Sequence, residues 1–226
     1  MIMKKIITTI LIGGFTLALA ACGNEPASTN PQQPSPQAQE HKATSPVATA
    51  TSYKSLFQNT VFLGDSITEG LSFHDVLDEG NVLAGAGKTA EFALEDIDEL
   101  TKRDPKHIFI QLGSDDILWP TDNPKEYSIK NYAKLIEMIK EKLPQAKITL
   151  LTVTPVTAEA EKQEPRYKNI NDYNQGLKEL ADKEHIGFTD LSPIISNGTD
   201  LYDSDGIHFK PKFYARMLDQ LKDQVN

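Results

Sequence analysis

From about residue 60 onward, short apolar runs alternate with stretches whose apolar residues recur at helical spacing. The runs at Thr60–Leu63, Asn81–Ala84, His107–Leu112, Lys147–Val153 and Gly187–Thr189 predict five strands. An amphipathic stretch with Ile67, Leu71, Val76 and Leu77 follows the first run directly. Further helices are predicted over about Ala90–Thr101, Ser128–Lys142 and Ile170–Lys183. In the second of these, Ile129, Tyr132, Leu135, Ile136 and Ile139 share one face. A last helix starts near Pro211, a residue suited to a first helical turn. Strands alternating with helices in this way predict an α/β protein with a mostly parallel sheet.

The polar and glycine-rich segments sit where the strands end. Gly64-Asp65-Ser66 follows the first strand, Gly85–Thr89 the second and Gly113-Ser114-Asp115-Asp116 the third. Thr154-Pro155 follows the fourth, and Asp205-Gly206-Ile207-His208 lies beyond the fifth. In an open parallel sheet all of these fall at the carboxyl edge, where ligand sites form. A serine at a strand-to-helix junction is well placed as a nucleophile, beside a positive helix end. Asp65 or Ser66 serving only as a helix cap is the competing account of that stretch. Asp205 and His208, three apart, are close enough for the carboxylate to accept from the imidazole, which leaves the other ring nitrogen for a serine. The remaining histidines, His41, His74, His107 and His185, lie in or near ordinary elements or in a polar stretch. Gly87-Lys88-Thr89 resembles the end of a phosphate-binding loop, but Val82 stands where that motif needs its first glycine, so no nucleotide is expected. No second histidine accompanies His208, and no metal site is expected either.

Outside the periodic region the pattern changes. Met1–Ala21 carries Lys4 and Lys5, an apolar run from Ile6 to Ala20 and then small residues, the parts of a secretory signal. It runs into Leu19-Ala20-Ala21-Cys22-Gly23, which resembles a bacterial lipoprotein cleavage box; the resemblance implies cleavage before Cys22 and lipidation of that residue. Cys22 is the single cysteine, so a disulfide within one copy is excluded. Residues 22–52, rich in Pro, Gln, Ala, Ser and Thr, cannot bury enough apolar surface to offset ordering, and are expected to form an extended spacer. Residues 53–226 are then one folded domain, expected on the extracytoplasmic face of the cell membrane. The formal net charge of −9 becomes more negative once Lys4 and Lys5 are removed. So acidic a domain is a poor partner for nucleic acid.

Four of these segments, in order, resemble the four blocks of the SGNH (GDSL-type) hydrolase family: Gly64-Asp65-Ser66-Ile67-Thr68, Gly87, Gly113–Asp116 and Asp205-Gly206-Ile207-His208. The resemblance covers the chain from about residue 60 onward, including Tyr173-Asn174 and Phe209-Lys210-Pro211. It implies a three-layer α/β/α sandwich with a flavodoxin-like five-stranded parallel sheet, and ester hydrolysis or acyl transfer without cofactor or metal. It implies Ser66 as nucleophile, His208 as general base and Asp205 as its orienting acid. It also implies an oxyanion hole from the N–H groups of Ser66 and Gly87 (Gly85 if the loop aligns two residues earlier) and the residue at 115. There the chain departs from the family: Asp115 stands in place of an asparagine. An ionised Asp115 cannot donate, and losing such a donor typically costs roughly 10²–10³ in rate. Either Asp115 is held protonated, another donor such as Ser114 or Lys88 serves, or the protein is weakly active. The expected function is a secreted, lipid-anchored serine esterase acting on an ester substrate, with short-chain acyl groups on a small molecule or a cell-surface glycan as candidates. An O-acyltransferase and a weakly catalytic glycan-binding module are the alternatives. Trp119 and Tyr167 are candidates for a cleft wall, and equally for ordinary packing.

Overall fold

The computed structural model describes residues 53–196 and 199–225. The signal, Cys22 and the spacer lie outside these residues. Five strands, β1 (Thr60–Gly64), β2 (Val82–Ala84), β3 (His107–Gln111), β4 (Lys147–Leu151) and β5 (Gly187–Thr189), form one sheet in the order β2-β1-β3-β4-β5. Every pairing is parallel, with Gly64 in register with both Ala84 and Gln111. This is the flavodoxin-like order that the family resemblance implied.

The strand runs look continuously apolar because both faces of the sheet are covered. Val61, Leu63, Ile108, Ile110, Ile148 and Leu150 point to one layer, built by α2 (Ile97–Arg103), α3 (Pro124–Lys142) and α5 (Ile170–Glu184). Phe62, Phe109 and Leu151 point to the other, where α1 (Ser66–Phe73) and α7 (Pro211–Leu221) pack. Two short helices, α4 (Ala158–Gln163) and α6 (Ser192–Ile195), follow β4 and β5.

Some boundaries shift for identifiable reasons. The helix expected over 90–101 is divided into a 3₁₀ segment, Phe92–Asp96, and then α2. Helix α3 begins four residues before the expected Ser128, because Asn123 caps it through Glu126 N–H and Pro124 takes the first turn. Strand β4 ends at Leu151 rather than Val153, whose N–H and C=O are taken instead by the Asn174 side-chain amide at 2.8 and 2.9 Å. Helix α4 lies in what reads as a polar loop, capped by the Thr157 hydroxyl on Ala160 N–H.

Candidate active site

The junction after β1 is built around Asp65. Its extended backbone ends the strand, and its side chain accepts from Ile67 N–H at 3.0 Å, capping α1. Ser66 is thereby the first helical residue, and its N–H is one that a helix leaves without an internal partner. Gly64 has no substitute here, since a Cβ would lie 2.0 Å from Thr68 Oγ1 and 2.5 Å from Gln111 O. Helix α1 is clamped from outside: the Tyr214 hydroxyl of α7 passes over Gly70 and donates to Ile67 O at 2.9 Å.

The segment Asp203–His208 closes back on itself. Asp203 N–H donates to His208 O at 2.8 Å, and Gly206 turns the chain at φ +71°. Asp205 Oδ1 accepts from the N–H groups of Ile207 and His208, both at 2.9 Å, while its Oδ2 lies 2.6 Å from His208 Nδ1. Burial pushes the Asp205 carboxyl up, but the hydrogen bonds from the His208 ring and these two N–H groups outweigh it, so the carboxyl stays below its ordinary range. His208 Nε2 then lies 2.9 Å from Ser66 Oγ. The His208 and Asp205 side chains are each nearly half exposed, so the site is open to a large substrate.

Two more loops complete the edge. Gly85 N–H continues the ladder to Gly64 O at 3.3 Å and is therefore occupied. Gly87, at φ +74° and with open space where a Cβ would be, has an N–H without a hydrogen bond among the described residues. Of the two glycines only Gly87 has a free donor.

Asp116 joins this loop to the next. Its carboxylate accepts from Ala90 N–H at 3.1 Å and from Ser128 Oγ at 2.5 Å, and Ser128 in turn meets the Tyr173 hydroxyl. Ser114 Oγ donates to Asp65 Oδ2 at 2.5 Å, and Lys88 is paired with Asp96 at 2.5 Å. Burial raises three acids of this edge: Asp65 to about 7, Asp116 to about 6, and Asp115 above its ordinary value, where His208 opposes the rise. Asp65 and Asp116 are structural, a role that depends on partners far along the chain. Tyr167 is buried in the core and is packing rather than cleft wall. Trp119 meets Phe92 edge-on, ring centroids 5.4 Å apart, so one aromatic comes from the loop of Asp115 and the other from the segment after Gly87.

A serine, a histidine and an acid thus lie hydrogen-bonded in line at the carboxyl edge of a parallel α/β sheet. The chain belongs to the GDSL-like lipase/acylhydrolase family, whose model matches residues 62–216. A GDSL-like lipase from Bacteroides thetaiotaomicron has the same fold, with a TM-score of 0.62, 20% identity and coverage of 77% of this chain and 89% of that one. A variant of an acetyl-xylooligosaccharide esterase from Geobacillus superposes with a TM-score of 0.52 at 17% identity, over 74% of this chain and 93% of that one. An N-acylneuraminate cytidylyltransferase from Escherichia coli is 30% identical over 120 residues, which are 52% of this chain and only 28% of that protein. By family, the expected class of carboxylic ester hydrolase holds.

Proposed function

We propose that the protein is an extracytoplasmic, lipid-anchored serine esterase that removes short acyl groups, acetyl foremost, from a glycan or small sugar. The observation that carries the chemistry is the unbroken line from Ser66 Oγ through the His208 ring to Asp205. Ser66 attacks the ester carbonyl while His208 Nε2 takes its proton, and Asp205 holds the ring and stabilises its cation. His208 returns the proton to the leaving alkoxide. Water, deprotonated by His208, then releases the acid from the acyl-serine. Ser66 and Gly87 N–H groups are the backbone donors for the oxyanion. The Phe92–Trp119 pair supports a sugar alcohol, since aromatic faces stack on sugar rings, and the named activity of the Geobacillus neighbour is the same chemistry.

The test is labelling by a fluorophosphonate, which reacts with an activated serine. The adduct should map to Ser66, and Ser66→Ala and His208→Ala should each abolish both labelling and hydrolysis of acetyl esters. Labelling that survives Ser66→Ala would place the nucleophile elsewhere.

A further inference from the structure

We propose that Phe92, Trp119 and Tyr127 form an aromatic platform for sugar rings beside the catalytic edge, so that the alcohol of the ester is a neutral glycan chain longer than one sugar. The inference rests on the esterase reading above and deepens it from a sugar to a chain.

The three side chains make one surface although they come from three segments. Phe92 opens the 3₁₀ segment after Gly87, Trp119 ends the turn Asp116–Leu118, and Tyr127 lies in the first turn of α3. Phe92 and Trp119 meet edge-on, and the Tyr127 hydroxyl is hydrogen-bonded to Glu91, the residue before Phe92. Of the three large apolar side chains exposed among the described residues, two, Phe92 at 42% and Tyr127 at 36%, are therefore neighbours here.

One buried acid fixes all three segments. Asp116 accepts from Ala90 N–H at 3.1 Å and from Ser128 Oγ at 2.5 Å. It thus joins the backbone two residues before Phe92, the side chain next to Tyr127 and the turn that carries Trp119. That turn is also held from Arg166, whose Nη1 donates to Leu118 O at 2.8 Å. Rings set by such ties lose little freedom when a ligand covers them.

The platform is continuous with the catalytic residues. Ser114 Oγ donates to Asp65 Oδ2 at 2.5 Å, which ties the loop after β3 to the residue before Ser66. From there the chain coils, with Ile117 N–H on Gly113 O and Trp119 N–H on Asp116 O. A rise of about 2 Å per residue puts Trp119 on the order of 10 Å from Ser114. The ring that presents its ester to Ser66 is smaller than that, so the surface is within reach of the next rings of a chain.

The chemistry selects a neutral glycan. Aromatic faces stack on sugar rings, and the Tyr127–Glu91 pair adds a hydroxyl and a carboxylate that hydrogen-bond sugar hydroxyls. The Glu91 carboxylate and the formal net charge of −9 both disfavour sugars that carry carboxylates or phosphates.

Trp119 is the single tryptophan of the chain, so its fluorescence reports on the platform directly. The full-length chain in detergent is titrated with oligomers of xylose and of N-acetylglucosamine, from the monosaccharide to the hexasaccharide. At least one series should shift the fluorescence, with affinity rising about tenfold or more from one sugar to four. Phe92→Ala and Tyr127→Ala, each checked by thermal melt, should weaken tetrasaccharide binding about tenfold. Equal affinity for one sugar and for four would confine the ligand to a single sugar and overturn the inference. So would fluorescence unmoved by either series at roughly 10 mM, or variants that bind as wild type does. A change of oligomeric state in either variant on gel filtration, with sugar affinity unaltered, would assign the rings to a contact between copies and overturn it as well. Fluorophosphonate labelling that depends on Ser66 leaves the esterase reading standing in each of these cases. Chain-length-dependent sugar binding with labelling that survives Ser66→Ala would instead keep the platform and remove the nucleophile.

Discussion

Asp65 is the residue whose charge the fold tolerates least. It is fully buried, caps α1, and has acidic neighbours in Asp115 and Asp116, which together raise it to about 7 from an ordinary 3.8. Between those two values the folded state holds a proton that the unfolded chain has released, so stability falls as pH rises across that window. Asp116, raised to about 6, acts in the same direction. Thermal melts should therefore show a higher Tm at pH 5 than at pH 8. Asp65→Asn keeps a capping oxygen for Ile67 N–H and removes the charge, so it should flatten that dependence and gain on the order of 2–4 kcal/mol at pH 8. A melting profile indifferent to pH in the wild type would contradict the burial argument. At this scale Ser66, His208 and Asp205 are legible in the sequence, because a strand-end serine and an acid three residues from a histidine are local patterns. The work of Asp116 is not, since its partners lie 26 residues before it and 12 after it. Nor does local pattern separate Gly85 from Gly87; the ladder bond to Gly64 occupies the Gly85 N–H, while that of Gly87 has no partner among the described residues.

Between elements, the site depends on a few ties that hold loops rather than on the sheet alone. Gly206 O accepts from Thr157 N–H at 2.9 Å, which fixes the Asp205–His208 loop to the segment after β4. A Cβ at Gly206 would meet Thr157 Oγ1 at 2.1 Å, and the position also has φ +71°. Gly206→Ala should therefore displace the histidine from Ser66 and lower kcat by about 10²-fold, since a shift of about 1 Å is enough to do so. Steady-state kinetics beside a near-native melt would show this, and unchanged kcat would mean the loop is held by its own internal bonds. The tie through Asp116 is structural in a different sense. Asp116→Ala would leave Ala90 N–H and Ser128 Oγ without their acceptor in a buried place, costing about 2–3 kcal/mol in a denaturant titration. The strands and the three long helices were readable from periodicity. Helix α4 and the division of 90–101 were not: α4 hangs on the single Thr157 cap, and neither segment of 90–101 has a side-chain cap at its N-terminus to mark the break. Strand order is likewise absent from any local pattern, and it came from the family resemblance.

At the scale of the whole molecule, the proposed anchor and the open cleft make one functional argument. A domain with a half-exposed triad needs no small-molecule tunnel and suits a substrate displayed on a polymer. Such a polymer near the membrane is reached by a tethered enzyme whose spacer has length to spare. About 30 residues between Cys22 and the domain span tens of ångströms if extended at roughly 3 Å each. Acyl chains on Cys22 would supply the membrane affinity, because the domain itself is acidic and an anionic membrane surface repels it. Detergent phase partitioning of expressed protein tests the anchor apart from the chemistry. Wild type should enter the membrane and detergent phases, whereas Cys22→Ser should be recovered in the aqueous phase or as the unprocessed precursor. Hydrolysis of a soluble acetyl ester should be the same for both once purified, since the tether is remote from Ser66 in the chain, while release of acyl groups from the intact cell surface should fall with Cys22→Ser. Wild type found free in the medium, with an N-terminus other than residue 22, would rule out the tether and leave the esterase proposal in place.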